Sequence, residues 1–286
     1  SPLPRKHPRS GLHWRGCGAG PRSGTSREHR SREIFRGPGR RPVSWRDCIA
    51  MNDLEKYFHA NDRSMINKWA HFFRAYDRHL CRYRDTDVHL LEIGVRHGGS
   101  LQMWKHYLGP RARIYGADIH PRSRELEEDQ VEIFIGDQED PDFLIELRER
   151  LPRLDVLIDD GGHTMRQQIG TFQAMFPHLS ETGTYICEDT HTSYWDTFGG
   201  GYRRDGTFIE LCKGLIDDLH AFHKRGRNPD FRLTDYTTSM DSIHFYDCMI
   251  VIEKNLRAAP ELVYSGTPRV GPGPRPSAAR DTAGRR

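Results

Sequence analysis

The sequence predicts an α/β fold: a mainly parallel seven-stranded sheet with helices on both faces and an antiparallel hairpin at the C-terminal end. Three observations support this prediction. Short apolar runs alternate with amphipathic segments along most of the chain. The apolar runs are nearly continuous, which is typical of strands that are buried on both faces. The last apolar stretch, 243–254, is interrupted by Tyr246–Asp247, as expected for a hairpin turn.

The predicted elements follow from these periodicities in chain order. A first amphipathic helix is expected over 66–80, where aromatic and aliphatic residues recur at helical spacing and should pack in the core. Ser100 is placed as the N-cap of the helix that follows the first strand. The predicted strands before the hairpin span 88–95, 112–119, 131–137, 154–160 and 183–189. The predicted helices between them span 100–108, 122–129, 142–151, 164–179 and 205–222.

Charge divides the chain of 286 residues, whose net charge is only +3. Residues 1–50 hold 12 basic and 3 acidic side chains, whereas residues 51–263 hold 26 and 36. We expect 1–50 to be a disordered basic tail, because the composition of this segment cannot form a core. We also expect Met51 to be the natural start. An arm that binds nucleic acid or a membrane is the alternative, but aromatic residues do not interleave with its charges. The other expected divisions are a helical segment at 51–86, a main domain at 87–258 and a disordered tail at 259–286.

Compartment and partners are limited by what the sequence lacks. No apolar run reaches the roughly 18 residues of a membrane helix, and the N-terminal stretch has no apolar signal region. The six cysteines form no C-x-x-C pair and are interpreted as free thiols. We therefore expect a cytoplasmic protein without nucleic-acid or membrane partners. The sequence leaves the oligomeric state open, a homo-oligomer included.

Acidic residues end nearly every predicted strand. The carboxyl ends of parallel strands lie along one edge of a sheet, and ligands bind beyond that edge near the topological switch point. We therefore expect the decisive residues at these strand ends. They are Glu92–Gly94, Asp118, Asp137, Asp159–Asp160 and Glu188–Asp189.

The turn after the first strand, LEIGVRHGGS, has the pattern E-x-G-x-x-x-G-G and lacks the G-x-G-x-x-G of dinucleotide-binding turns. Its glycines let the backbone approach a ligand, or simply make a tight turn, and a carboxylate at this place disfavours a pyrophosphate. An acid after the second strand is suited to accept both ribose hydroxyls of an adenosine. We therefore predict a site for S-adenosylmethionine (SAM). Its predicted residues are Glu92, Gly94, Gly98, Ser100, Asp118, Gly136, Asp137 and Asp159.

Three further carboxylates predict a metal site. Asp160 and Glu188 are 28 residues apart with one predicted helix between them, so a parallel sheet brings them, with Asp189, to adjacent strand ends. Such carboxylates repel one another unless a cation lies between them. All-oxygen ligation favours Mg²⁺, Mn²⁺ or Ca²⁺ over Zn²⁺, and a site that keeps open positions for a substrate suits Mg²⁺. The alternative is that one or two of these acids cap the following helices.

His163 follows Asp160 on the turn into the next predicted helix. It is a candidate metal ligand, a helix-start surface residue or a general base that takes the proton from a substrate hydroxyl. We favour the base, because three carboxylates already supply metal ligands. His191 is the second candidate base and, with Tyr194 and Trp195, a candidate contact to the substrate.

Three stretches resemble one known family: LLEIGVRHGGSLQMWKHYLGPRARIYGADIHP, VLIDDGGH and YICEDTHTSYW. They are similar to the metal-dependent sugar O-methyltransferases of bacterial natural-product pathways. That family includes the mycinamicin and tylosin deoxysugar and the rhamnosyl O-methyltransferases and, more widely, cephalosporin hydroxylase-like proteins. The resemblance covers residues 51–255. It implies a Rossmann-like class I methyltransferase domain at 87–258, with SAM and Mg²⁺ as cofactors, that methylates a hydroxyl of a deoxysugar or rhamnosyl-type glycoside in antibiotic biosynthesis.

The resemblance also implies individual roles. The second Asp of D-D-G-x-H, Asp160, and both acids of E-D-T, Glu188 and Asp189, would hold Mg²⁺, and His163 would be the base. Gly162 stands where the family usually has Ser, a change that leaves these roles intact.

A second departure concerns the substrate. Macrolide enzymes of this type carry a sizeable auxiliary N-terminal domain, whereas here only the helical segment 51–80 precedes the first strand, so a smaller glycoside fits as well. The alternatives are a catechol-type or other small-molecule O-methyltransferase, a nicotinamide-dependent dehydrogenase and a non-catalytic binding protein. Catechol-type enzymes usually use a Lys base where this chain has His163.

Overall fold

A computed structural model describes residues 51–271. The expectations for residues 1–50 and for the last part of the predicted tail, 272–286, lie outside this range. The strands are β1 (His89–Ile93), β2 (Arg113–Asp118), β3 (Val131–Ile135), β4 (Val156–Asp159), β5 (Thr184–Cys187), β6 (Met240–Tyr246) and β7 (Met249–Lys254). The α-helices are α1 (Asp53–Ala60), α2 (Phe72–Leu80), α3 (Gly99–Leu108), α4 (Pro141–Arg150), α5 (Met165–Met175), α6 (Phe208–His220) and α7 (Asp235–Ser239).

The strands form one sheet in the order β3-β2-β1-β4-β5-β7-β6. The first five are parallel, and β7 runs antiparallel to both β5 and β6. This topology confirms the predicted fold class, including the C-terminal hairpin. The strand order reverses between β1 and β4, so the crevice beyond their carboxyl ends is the topological switch point.

Both faces of the sheet are covered, which explains the continuous apolar runs in the sequence. Alternate strand residues point to opposite faces. Leu90 and Val156 pack with the side chains of α1, α2 and α3, whereas Leu91 and Leu157 pack with those of α4, α5 and α6. The N-terminal helices therefore share one core with the sheet.

The first predicted helix is only partly correct. Its second half forms α2, whose Phe72 and Tyr76 are buried as expected, but residues 61–71 are not helical. This stretch, called the edge segment below, runs along the carboxyl edge of the sheet. Trp69, expected in the core, is 52% exposed. The reason is tertiary, because Lys68 and Trp69 hydrogen-bond to acids at the strand ends.

Two other local predictions were wrong. The predicted helix at 122–129 is a 3-10 helix over Pro121–Leu126. Ser100 does not cap α3, since Gly98 holds the N-cap position with φ +75°. A left-handed conformation of this kind favours glycine. Among residues 51–271, no helix is both long and apolar enough to cross a membrane.

The shared core predicts that α1 contributes to the stability of the whole domain. Leu54 is fully buried between α1 and its neighbours. Leu54→Ala should lower the free energy of unfolding by about 2–4 kcal/mol, because it removes buried methyl groups and leaves a cavity. Urea denaturation measures this change. Leu256→Ala, at a side chain that is 58% exposed, is the control and should stay within about 0.5 kcal/mol of wild type. Equal effects would contradict a shared core.

Candidate functional site

A cavity of about 1010 Å³ lies along the carboxyl edge of the parallel strands. It extends from the residues after β3 to those after β5, across the topological switch point. Ten of the predicted site residues line it: Gly94, Ser100, Asp118, Gly136, Asp137, Asp160, His163, Glu188, Asp189 and His191. Five others do not: Glu92, Gly98, Asp159, Tyr194 and Trp195.

The wall beside β1 and β2 is organised by a glycine and an acid. Gly94 has φ +90°, and a Cβ there would collide with the carbonyl oxygen of Asp160. Asp118 accepts hydrogen bonds from the backbone N–H groups of Val95 at 3.1 Å, Arg96 at 2.9 Å and His120 at 2.8 Å. Asp118 therefore holds two loops in place while it faces the cavity.

Two predicted site acids lie beneath the cavity. Glu92 is fully buried and accepts hydrogen bonds from Ser100 Oγ at 2.6 Å and Lys68 Nζ at 3.0 Å. Burial raises its pKa. Asp159 accepts hydrogen bonds from Gln138 Nε2 at 2.6 Å and the Tyr185 hydroxyl at 3.1 Å, and burial raises its pKa to about 7. Both acids support the cavity floor from below.

At the β4–β5 end, Asp160, His163 and Asp189 converge. Nε2 of His163 lies 3.9 Å from Asp160 Oδ1 and 3.4 Å from Asp189 Oδ2. His163 and Asp189 both have left-handed backbones, with φ +58° and +52°. The buried Thr192 hydroxyl donates to both of their carbonyl oxygens, at 2.8 and 3.0 Å. Such backbone strain persists only when surrounding contacts hold it, and Thr192 supplies those contacts.

Lys68 is a site residue that sequence reasoning missed. Its side chain is only 2% exposed, and Nζ lies 2.7 Å from Asp160 Oδ2 and 2.9 and 3.1 Å from the two oxygens of Glu188. Burial opposes the charge, but Asp160 and Glu188 raise the pKa of Lys68 well above its ordinary value. Tyr76 donates a further hydrogen bond of 2.7 Å to Glu188. Lys68 is 92 residues from Asp160 in the chain, and no local pattern distinguishes it from a surface lysine.

The mouth of the cavity beside Asp189 is aromatic. Trp69 donates from Nε1 to Asp189 Oδ1 at 2.8 Å. The His191 ring makes edge contacts with Trp69 and Trp195, at centroid distances of 6.2 and 4.6 Å. Tyr194 and Trp195 are 48% and 49% exposed, so they lie at the rim outside the cavity lining.

The acids at this end fit a hard divalent cation. Asp160 Oδ1 and Asp189 Oδ2 accept no hydrogen bond from any residue in 51–271, and ligand atoms of Asp160, His163 and Asp189 lie within 4.8 Å of one another. Oxygen donors with open positions beside them suit Mg²⁺. Glu188 contributes the third predicted carboxylate, but both of its oxygens are in contact with Lys68.

Comparison with known proteins was consistent with these observations. Residues 91–190 match the family model described as a methyltransferase domain. The chain is 37% identical over 214 residues to demethylmacrocin O-methyltransferase of Streptomyces fradiae. It is 36% identical over 206 residues to 8-demethyl-8-alpha-L-rhamnosyl tetracenomycin-C 2'-O-methyltransferase of Streptomyces olivaceus. Each alignment covers 68% of this chain and 52% of the relative, so the chain spans about half the length of the curated relatives it matches.

A solved structure with the same fold is that of the MycE methyltransferase from the mycinamycin biosynthetic pathway, in complex with Mg and SAH. It matches with a TM-score of 0.62 and 33% identity, over 71% of this chain and 54% of that one. A second MycE structure, which also contains mycinamycin VI, matches with a TM-score of 0.61. The resemblance inferred from the motifs is thereby confirmed.

The buried Asp159 predicts a defined pH dependence of stability. An acid whose pKa is higher in the folded protein than in the unfolded chain destabilises the fold as pH rises between the two values, here from about 4 to about 7. Asp159→Asn keeps the shape without the charge. Its free energy of unfolding, relative to wild type, should therefore rise by on the order of 3 kcal/mol across this window.

Urea denaturation in chelator at a series of pH values from 4.5 to 8 measures this difference. Asp137→Asn, at an exposed acid of the same edge, is the matched control and should run parallel to wild type. A flat difference between Asp159→Asn and wild type would contradict a buried acid with a raised pKa.

Proposed function

We propose that this chain, which contains a methyltransferase domain homologous to those of the sugar O-methyltransferases, transfers a methyl group from SAM to a sugar hydroxyl on a glycoside. The observation that carries the proposal is one continuous cavity in which a glycine-and-acid wall meets an acid–histidine corner at the topological switch point. A cavity whose two halves differ in this way suits a reaction in which two different reactants must be held together. Two matched relatives carry a sugar in their names, a rhamnosyl tetracenomycin-C 2'-O-methyltransferase and L-olivosyl-oleandolide 3-O-methyltransferase.

The donor would occupy the half of the cavity beside β1, β2 and β3. Gly94 lets the backbone approach the ligand at the switch point, and Asp118 and Asp137 line the wall where ribose hydroxyls and adenine would lie. Glu92, Gly98 and Asp159 would act indirectly, by shaping the loops and floor of this half. A sulfonium carries positive charge, which the acidic rim accommodates.

The metal would occupy the corner between β4 and β5. Asp160 and Asp189 would hold it through the two oxygens that accept no other hydrogen bond within the described range, and Glu188 would join by releasing a contact with Lys68. Mg²⁺, when bound, supplies positive charge that orients a sugar hydroxyl and lowers its pKa.

His163 would then serve as the general base. Its Nε2 faces the corner, whereas its buried Nδ1 has no hydrogen-bond partner among residues 51–271. Nε2 would accept the hydroxyl proton as the sugar oxygen bonds to the methyl carbon and the carbon–sulfur bond of the sulfonium breaks. The products would be the methyl ether, S-adenosylhomocysteine and protonated His163.

The acceptor would enter at the aromatic mouth. Trp69, His191 and Trp195 form a continuous set of ring contacts next to Asp189. Aromatic faces of this kind pack against the apolar face of a sugar, and the exposed rim leaves room for the rest of a glycoside.

A methyl-transfer assay against deoxysugar glycosides, rhamnosyl glycosides and catechols tests the function. We expect S-adenosylhomocysteine to form with a glycoside and Mg²⁺ and not in chelator. Turnover of catechols alone would favour the catechol-type alternative.

Asp189→Asn should weaken Mg²⁺ activation at least about tenfold, since it removes one ligand charge while Asn tolerates the left-handed backbone. The exposed neighbour Asp196→Asn should behave as wild type.

The base is tested by His163→Asn, which also tolerates the backbone of φ +58°. Turnover should fall by about 10²–10⁴, the range for loss of a general base, while S-adenosylhomocysteine binds as in wild type by calorimetry. His191→Asn is the matched comparison. A larger loss of turnover in His191→Asn than in His163→Asn would transfer the base role to His191.

A further inference from the structure

Three acids from three different strand ends converge on one ammonium group. Nζ of Lys68 lies within 3.1 Å of four oxygens, which belong to Glu92 near the end of β1, Asp160 after β4 and Glu188 after β5. In the described range, no other lysine or arginine forms a salt bridge with these acids. Lys68 is therefore their main counter-charge, and it comes from the edge segment, outside the matched domain at 91–190.

The charge balance at this point is negative. Three carboxylates face one ammonium group, and Glu92, Glu188 and the Lys68 side chain are almost fully excluded from solvent. Buried carboxylates without a cation are strongly unfavourable. An ammonium group with three donors is a cation that can satisfy several carboxylates at once. At Glu188 the ammonium group neutralises the carboxylate, which a bound divalent ion would otherwise do.

The Lys68 ammonium group and a divalent ion would compete for oxygens of the same carboxylates. Asp160 and Asp189 each keep one oxygen available, whereas both oxygens of Glu188 contact Lys68 and one also accepts from Tyr76. Coordination by Glu188 therefore requires a contact with Lys68 to break. A positive charge so close to the ion also repels it.

We propose that Lys68 is a positioning residue that holds the three carboxylates together while the metal is absent and releases Glu188 when the metal binds. This inference rests on the metal site of the proposed function. Lys68 would set the metal affinity of that site, because its ammonium group competes with the metal ion for Glu188. The neighbouring residue, Trp69, contacts the remaining acid, Asp189, so the edge segment touches all three predicted metal ligands. Metal binding would thereby act on the segment that lines the mouth.

Lys68→Met tests the proposal, because it keeps the long side chain and removes the charge. Calorimetric titration with Mg²⁺ and with Mn²⁺ should show binding at least about tenfold tighter than in wild type, since a repelling charge is removed and Glu188 is released. Without metal, the thermal unfolding midpoint of Lys68→Met should fall below that of wild type, and added Mg²⁺ should close the gap. Unchanged or weaker metal binding would overturn the proposal. Lys213→Met is the matched control, at a half-exposed lysine on α6, and should match wild type in both measurements.

The double variant Lys68→Met/Glu188→Gln separates release of Glu188 from a general charge effect. The double variant removes one acid along with the ammonium group, so it should fold without metal. If Lys68→Met folds only when metal is present, that result would itself support the proposal. Its metal affinity should lose the gain seen in Lys68→Met. Retention of the full gain would show that Glu188 is not the residue released.

These measurements do not depend on sugar methylation. A wild-type protein that binds Mg²⁺ and S-adenosylhomocysteine but methylates no glycoside would refute the proposed acceptor, and the Lys68 comparison would still decide this inference. A lack of metal binding in both wild type and Lys68→Met would refute the metal site and this inference together.

Discussion

Like-charge crowding at the carboxyl edge of the sheet is the constraint on which the site depends. Parallel strands bring their C-terminal residues to one edge, and here those residues include Glu92, Asp160 and Glu188. Each of these three acids has at least one oxygen within 3.1 Å of the Lys68 ammonium group. Such an arrangement is stable only when each buried carboxylate is paired. Lys68 supplies that pairing, and the path of the edge segment brings the Lys68 side chain to these acids.

The same edge explains how one cavity serves two purposes. Strand order reverses between β1 and β4, so a crevice opens where no crossover helix can cover it. Gly94 allows the backbone after β1 to approach that of Asp160 closely. Residues of the donor wall and of the acid–histidine corner thus become neighbours across the switch point, although they are about 65 residues apart in the chain.

Local strain and burial at this edge are balanced by neighbouring contacts. The left-handed backbones of His163 and Asp189 point their side chains at each other, and the hydroxyl of Thr192 ties them together. Asp159 is buried below with two strong donors. Strained residues and buried acids reduce the stability of a fold, and they are common where geometry serves chemistry.

From the sequence alone, the fold class, the strand ends and ten of the residues that line the cavity could be predicted. Nearly continuous apolar runs that alternate with amphipathic segments are typical of strands buried on both faces, and parallel strands place their terminal acids on one edge. Tertiary structure alone decided the rest. The apolar spacing in 66–80 predicts a helix, but hydrogen bonds from Lys68 and Trp69 to distant acids hold residues 61–71 in an irregular path. Likewise, only packing shows that Glu92 and Asp159 lie beneath the cavity. Periodicity reports which face of an element is buried, whereas the partner of a lysine 92 residues away depends on how the elements come together.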